Sequence, residues 1–306
     1  MRLSLAAPLV ILALLSGCAL KFQSTRLDYA GESHSVVRVY EADIRYSVSG
    51  PEDGEAVVLI HGFGSSLAAW DALVPALEDR YRVLRLDLKG FGRSSKYAAD
   101  YGLDEHVAVI LTLMDHEGLD RAHLVAHSWG SAVALALAEA APDRVGRLVL
   151  ASAWVYEEQL PWALRSARTA GMGELIFGLW YAENLDWRFG LSFHDPERWV
   201  TEEVMERARA MLLLPGAKAA ALATVRDLDL AGRQQRYGQI DAPVLLVYGQ
   251  QDQVSRPAFG ERLQAHLPAA RLEVLPRCGH FPMIEHAALY NDLVRSWLDG
   301  DPGVSE

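Results

Sequence analysis

Cysteine is nearly absent: the 306 residues include two, Cys18 and Cys278. That excludes the multi-bridge framework of small secreted domains, and a chain of this length buries enough surface to fold without one. Basic residues are outnumbered, 29 Lys and Arg against 40 Asp and Glu, for a formal net charge of −11. The acidic balance argues against a nucleic-acid partner and supplies no electrostatic attraction to anionic lipid. The chain lacks internal repeats, low-complexity tracts and a phosphate-cradling Gly-rich loop. No spacing of His, Cys, Asp or Glu makes a metal site, so neither a metal nor a cofactor is expected.

Long hydrophobic runs are also missing, except at the start. Arg2 precedes a mostly apolar run from Leu3 to Leu15, followed by Ser16-Gly17-Cys18. As a helix that run would be about 20 Å long at roughly 1.5 Å per residue, too short to span a bilayer. A positive start, a short apolar core and small residues make a signal peptide. Leu15-Ser16-Gly17-Cys18 resembles the lipobox of bacterial lipoproteins. The resemblance implies cleavage before Cys18, lipid on that residue and an address in the bacterial cell envelope. Ala19 stands where an Asp often retains such proteins at the inner membrane, which favours the outer membrane. Cys278 is then left without a partner and reads as a buried, inert thiol.

What the chain does contain is an alternation of apolar strands and helical stretches. Val36–Tyr40 and Ile44–Val48 read as an antiparallel hairpin. Ala56–Ile60, Tyr81–Leu86, His123–Ala126 and Val145–Ser152 read as buried strands, with helices over Trp70–Asp79, Asp104–His116 and Ala132–Ala141 between them. Asp104 is the expected N-cap of its helix. Such alternation means parallel βαβ units. The rhythm breaks over residues 153–237, which hold helical stretches, no clear strand and five of the eight Trp. It resumes with a strand around Val244–Tyr248, a helix around Pro257–His266, a strand Leu272–Leu275 and a closing helix Phe281–Trp297. The expected organisation is therefore a leader at 1–17, a tether at 18–35, an α/β core at 36–152 and 238–298, a helical cap at 153–237 and a tail at 299–306.

The stretch Ala126-His127-Ser128-Trp129-Gly130 places a hydroxyl at the turn between a strand and a helix. A Ser before a helix can serve as an N-cap, and as a nucleophile it needs a base and a group to orient that base. Asp252 sits just past Val244–Tyr248, and His280 just past Leu272–Leu275. Both positions are at carboxyl ends of strands, where open α/β sheets assemble their sites. An Asp there can be simple turn chemistry, and a lone His is often structural. Three residues in the order Ser, acid, His, each after the right strand, point instead to a catalytic triad. Acyl transfer also needs two backbone N–H groups for the oxyanion. Trp129, directly after the nucleophile, and Phe63, in the Gly-flanked loop after Ile60, are the expected donors.

With these pieces the chain resembles a cap-bearing member of the α/β-hydrolase superfamily, over about residues 36 to 298. The matching motifs are HGFGSS at 61–66, DLKGFGRS at 87–94, AHSWG at 126–130, the Asp252 turn and CGHFPMIEH at 278–286. Ala126 replaces the usual Gly, and His286 stands where Pro is common. The resemblance implies a mostly parallel sheet flanked by helices, with a helical cap inserted after the sixth strand. Asp87 and Arg93 match positions that brace loops in the family. A Ser at 128 argues against dehalogenase and epoxide hydrolase chemistry, which need a carboxylate there. The expected activity is hydrolysis of a small, apolar carboxylic ester, thioester or lactone through an acyl-enzyme. Carbon–carbon bond hydrolysis of ring-cleavage products, haloperoxidase-like perhydrolysis, and a non-catalytic ligand-binding role remain as alternatives. The Trp-rich cap is expected either to line the pocket or to pack the cap onto the core, and Leu212-Leu213-Leu214-Pro215 to form a lipid-facing surface.

Overall fold

The computed structural model describes residues 34–96, 100–181 and 184–300. The expected leader, Cys18 and all but the last two residues of the tether lie outside the described residues, as do positions 301–306 of the expected tail. Eight strands form one sheet: β1 (Ser35–Val39), β2 (Ala42–Ser49), β3 (Ala56–Ile60), β4 (Arg82–Leu86), β5 (Ala122–His127), β6 (Val145–Ala151), β7 (Val244–Gly249) and β8 (Ala270–Leu275). Their spatial order is β1-β2-β4-β3-β5-β6-β7-β8. The pairs β1–β2 and β2–β4 are antiparallel, and every other pair is parallel.

The helices of the core are α1 (Val74–Leu77), α2 (Leu103–His116) and α3 (Gly130–Ala140). Between β6 and β7 the chain forms α4 (Trp162–Ala167), α5 (Met172–Trp180), α6 (Leu185–Ser192), α7 (Pro196–Trp199), α8 (Glu202–Leu212), α9 (Ala217–Asp227) and α10 (Leu230–Gln234), with no strand among the described residues. The core resumes with α11 (Pro257–His266), α12 (Pro282–Glu285) and α13 (Ala287–Leu298).

Composition decides where each strand sits. AVVLI of β3 and VLLVYG of β7 are buried along their whole length, as strands covered on both faces must be. In β8, at the open edge, Leu275 alone is buried. The period of two then divides each central strand between two apolar layers. Val57, Leu59, Val125 and Val149 pack with α1 and α13, while Val58, Ile60, Leu124 and Leu148 pack with α2, α3 and α11. Each fully buried Leu or Val contributes about 1.5–3 kcal/mol.

The strand order also locates the site. From β3 the chain steps outward to β4, then crosses back to place β5 on the other side of β3. The loops after β3 and β5 diverge to opposite faces, which opens a crevice at their carboxyl ends.

Several elements differ locally from expectation. The helix expected over 70–79 is a 3₁₀ turn at Leu67–Trp70 followed by the short α1, because Pro75 at its start has no N–H to continue a helix through it. Helix α2 begins at Leu103 with Gly102 as its cap, so Asp104 lies in the first turn and pairs with Arg233 of α10. The closing helix is broken at His286 into α12 and α13. The tail expected from residue 299 is still tied down there: Asp299 accepts from the Tyr81 hydroxyl at 2.5 Å and pairs with Arg80 at 3.3 Å.

Asp87, at the end of β4, holds the loops around the crevice together. It is fully buried; Oδ1 accepts from Leu67 N–H at 2.7 Å, and Oδ2 accepts from Arg93 N–H at 2.8 Å and Arg45 Nη1 at 3.1 Å. Gly92 packs so closely that a Cβ there would fall 2.1 Å from the carboxylate carbon. The Asp87→Ala variant leaves the N–H groups of Leu67 and Arg93 without this acceptor and removes one ion-pair partner of the partly buried Arg45. It should lose about 3–5 kcal/mol of stability, read from the urea midpoint. A midpoint equal to wild type would contradict this role.

Candidate active site

Ser128 follows β5 directly. Its φ of 52° is in the left-handed region, a conformation that a side-chain-bearing residue adopts only under constraint. The constraint is visible on both sides. Ser128 N–H donates to Ala151 O of β6 at 2.9 Å, and its carbonyl accepts from Ser131 N–H at 2.9 Å and Trp154 N–H at 3.0 Å. Gly130 is needed because a Cβ there would lie 2.4 Å from His61 O and 2.7 Å from Ile60 O. Ala126 is buried within β5, where the methyl group is accommodated.

The fold brings Ser128 to Asp252 and His280, although His280 lies 152 residues beyond Ser128 and 28 beyond Asp252. His280 Nε2 lies 3.0 Å from Ser128 Oγ, and His280 Nδ1 lies 2.9 Å from Asp252 Oδ2. An ionised carboxylate can only accept, so Nδ1 carries the proton and Nε2 is left to accept from the Ser hydroxyl. The other oxygen of Asp252 accepts from Val254 N–H and Ser255 N–H, each at 2.8 Å, which fixes the carboxylate plane. All three side chains are buried.

Phe63 and Trp129 sit in the loop after β3 and at the start of α3. Neither backbone N–H donates a hydrogen bond among the described residues. Fully buried His61 sets the loop. Its Nε2 accepts from Leu88 N–H at 2.9 Å, so Nδ1 carries the proton and donates to Gly62 O at 2.8 Å. The Gly62 carbonyl and the Phe63 N–H belong to one planar peptide and point opposite ways. Holding the carbonyl therefore holds the N–H.

The Phe63 ring lies among Phe91, Trp129, Trp154 and Tyr181, with centroids 5.2 to 6.5 Å away. Of the Trp residues of the insertion, Trp154 is buried beside Phe63. Trp129 is fully buried beneath Phe63, while Trp162 and Trp187 of the insertion are 68% exposed. Of the leucines at 212–214, Leu212 is buried and Leu213 exposed. Tyr181 and Arg188 reach Gly64: a Cβ there would meet the Tyr181 hydroxyl at 3.2 Å and Arg188 Nη2 at 3.8 Å.

Three positioning groups went unread in the sequence. His127, expected only to pack, uses Nε2 to donate to the His280 carbonyl at 2.8 Å. Gln159 accepts from Val155 and Tyr156 N–H and donates to Ser255, joining the first turn of the insertion to the Asp252 loop. Glu285 accepts from Gly279 N–H. His127 and Glu285 lie within the AHSWG and CGHFPMIEH stretches, but their roles could not be read there, since each works through backbone groups brought close only by folding. Cys278 is buried, and that burial pushes its thiol pKa up, as expected of an inert thiol.

This geometry can be set beside known proteins. Residues 55–287 match the family model described as alpha/beta hydrolase fold. The chain belongs to that family. It is 30% identical to a pimeloyl-[acyl-carrier protein] methyl ester esterase of Nitrosomonas europaea, over 76% of this chain and 91% of the relative. It is 29% identical to a 2-hydroxy-6-oxononadienedioate/2-hydroxy-6-oxononatrienedioate hydrolase of Comamonas testosteroni, over 84% and 92%. It is also 32% identical to a dihydrolipoyllysine-residue acetyltransferase component of an acetoin cleaving system from Cupriavidus necator, covering 90% of this chain and 73% of that one. Among solved structures, a meta-cleavage product hydrolase of Pseudomonas fluorescens superposes with a TM-score of 0.76 at 26% identity, over 87% of this chain and 97% of the other.

Within this alpha/beta hydrolase, burial holds His61, His106 and His127 neutral. Burial pushes His61 and His127 down, and takes His106, packed 5.0 Å from the Trp129 ring, to about 3. The unfolded chain protonates His106 near its ordinary value of 6.5. Between about pH 3 and 6.5 the unfolded state therefore binds the extra proton, and stability rises with pH. Lowering the pH through that window should cost roughly 1.4 kcal/mol per unit from this residue. A His106→Leu variant should show a shallower dependence of the urea midpoint on pH, and an unchanged dependence would contradict it.

Proposed function

We propose that this alpha/beta hydrolase is a serine hydrolase that cleaves carboxylic esters, thioesters or lactones through an acyl-enzyme on Ser128. The reading rests on the continuous hydrogen-bonded path from Ser128 Oγ through His280 to Asp252. Ser128 attacks the substrate carbonyl while His280 Nε2 takes the hydroxyl proton. Asp252 stabilises the imidazolium, and the N–H groups of Phe63 and Trp129 receive the oxyanion. Collapse of the tetrahedral intermediate expels the alcohol or thiol, which takes its proton from His280. Water then attacks the acyl-enzyme with His280 again as base, releasing the carboxylic acid. The rings around Phe63 favour a small, apolar acyl or alcohol group, and no cofactor or metal enters these steps.

A second reading, carbon–carbon bond hydrolysis of ring-cleavage products, draws support from the likeness to the Comamonas testosteroni hydrolase and the Pseudomonas fluorescens meta-cleavage product hydrolase. Assay of both substrate classes separates the two. Under either, Ser128→Ala should lower turnover of its substrate, a short p-nitrophenyl ester for the first, by roughly 10⁴-fold or more. Activity near wild type in that variant would overturn the mechanism.

We also infer that the protein is anchored by lipid on Cys18 in the bacterial cell envelope, at the outer membrane, with residues 153–237 acting as a cap over the site. The apolar run ending in Leu15-Ser16-Gly17-Cys18 supports the anchor. Cells given radioactive palmitate should label the wild-type chain and not the Cys18→Ala variant; equal labelling of both would overturn the anchor.

A further inference from the structure

The loop that carries His280 is hydrogen-bonded to the insertion. His280 N–H donates to the carbonyl of Ser192, the last residue of α6, at 2.6 Å. Two residues further into the insertion, His194 N–H donates to Glu285 Oε2 at 2.8 Å. The other oxygen of the same carboxylate, Oε1, accepts from Gly279 N–H, also at 2.8 Å. One carboxylate on α12 therefore joins the backbone immediately before His280 to the backbone of the insertion. Phe193 and Phe281 stack beside it, with centroids 5.0 Å apart and planes 19° apart. The approach leaves no room for a side chain at 279: a Cβ there would fall 2.5 Å from Ser192 O and 2.8 Å from His194 N.

Nothing in the triad itself requires this arrangement. Asp252 fixes the ring of His280 through Nδ1, but the ring can reach Ser128 only if its backbone is held at the right height. Two contacts hold that backbone directly: Ser192 at the N–H and His127 at the carbonyl. Of these, the first comes from the insertion, whose place against the loop Glu285 secures. The half-buried carboxylate accepts from the N–H groups of Gly279 and His194, one at each oxygen, while burial pushes its pKa up.

We propose that Glu285 is a positioning residue that couples the seating of the cap to the alignment of His280. The inference rests on the reading of Ser128, His280 and Asp252 as the catalytic triad and adds a device that acts through it. When the segment Ser192–His194 is seated, His280 is held in reach of Ser128. When that segment moves away, the His280 N–H loses its acceptor and the base loses its register. Glu285 touches neither substrate nor reacting atoms.

The test uses the full chain and three variants. Glu285→Ala removes both acceptors. Glu285→Gln offers one acceptor oxygen, and its amide group faces an N–H whichever way it turns. Phe193→Ala weakens the same junction from the cap side. Wild-type protein is first labelled with a fluorophosphonate; failure to label Ser128 in folded wild-type protein would count against the catalytic reading itself, separately from this one. With labelling established, kcat and KM are measured for a short p-nitrophenyl ester, together with the low-field proton resonance of His280 Nδ1–H and amide exchange. A displacement of the base by about 1 Å should lower kcat by about 10- to 100-fold. The expected order is Glu285→Ala below Glu285→Gln below wild type, with little change in KM. The Nδ1–H resonance should shift or broaden, and the amides of His194, Gly279 and His280 should exchange faster together while those of β5 and β6 keep wild-type protection. Phe193→Ala should reproduce the kcat effect in part. Folded Glu285→Ala and Glu285→Gln proteins with wild-type kcat and an unchanged Nδ1–H resonance would overturn the proposal. So would a loss of kcat in which β5 and β6 lose protection to the same degree, since that is general destabilisation.

Discussion

The site depends on one backbone constraint: Ser128 must stand in a left-handed conformation at the end of a largely buried strand. A side chain there costs of order 1–3 kcal/mol, and the surrounding packing has to hold it. Parallel pairing on either side of β5 supplies the rigidity, and the α3 helix begins two residues later. Gly130 lets that helix approach the end of β3 to backbone contact. The hydroxyl is thereby lifted out of the sheet toward the crevice where the strand order reverses.

Around this point, electrostatics is arranged by burial. His61, His106 and His127 are all uncharged, because burial makes an imidazolium costly, and His61 and His127 each donate to one backbone carbonyl. His61 and His127 thus order backbone without adding positive charge beside His280. His280 Nδ1 pairs with Asp252, whose second oxygen is already occupied by two N–H groups. The Phe281 ring packs 5.4 Å from that of His280, and the side chains of Ser128, His280 and Asp252 are buried. A low local dielectric strengthens the hydrogen bonds among them and penalises any that are left unmade.

The insertion is hydrogen-bonded to loops of the core. Its first turn is tied to the Asp252 loop by Gln159, and the end of α6 is tied to the His280 loop. Tyr181 and Arg188 sit against Gly64, beside Phe63. Three separate loops of the site are therefore each in contact with the insertion.

Much of this was legible in the residues. Continuous apolar runs marked the buried strands, alternation marked the βαβ order, and the helical character of 153–237 interrupted it. Ser128, Asp252 and His280 could be singled out because turn chemistry places them after strands, and strand ends converge in a parallel sheet. The short-range signals failed where local preference met tertiary demand: Pro75 broke one helix, Asp104 left its cap for Arg233, and His286 interrupted another. Trp residues showed aromatic mass without direction, since the same indole can face the site, the core or solvent. What only the tertiary structure decided was the set of contacts made through backbone atoms. His61 to Gly62, His127 to the His280 carbonyl, Gln159 to Ser255 and Glu285 to Gly279 and His194 leave no periodic or compositional trace. Sequence determines which side chains can donate or accept; which N–H or carbonyl stands opposite them is set by how distant segments pack.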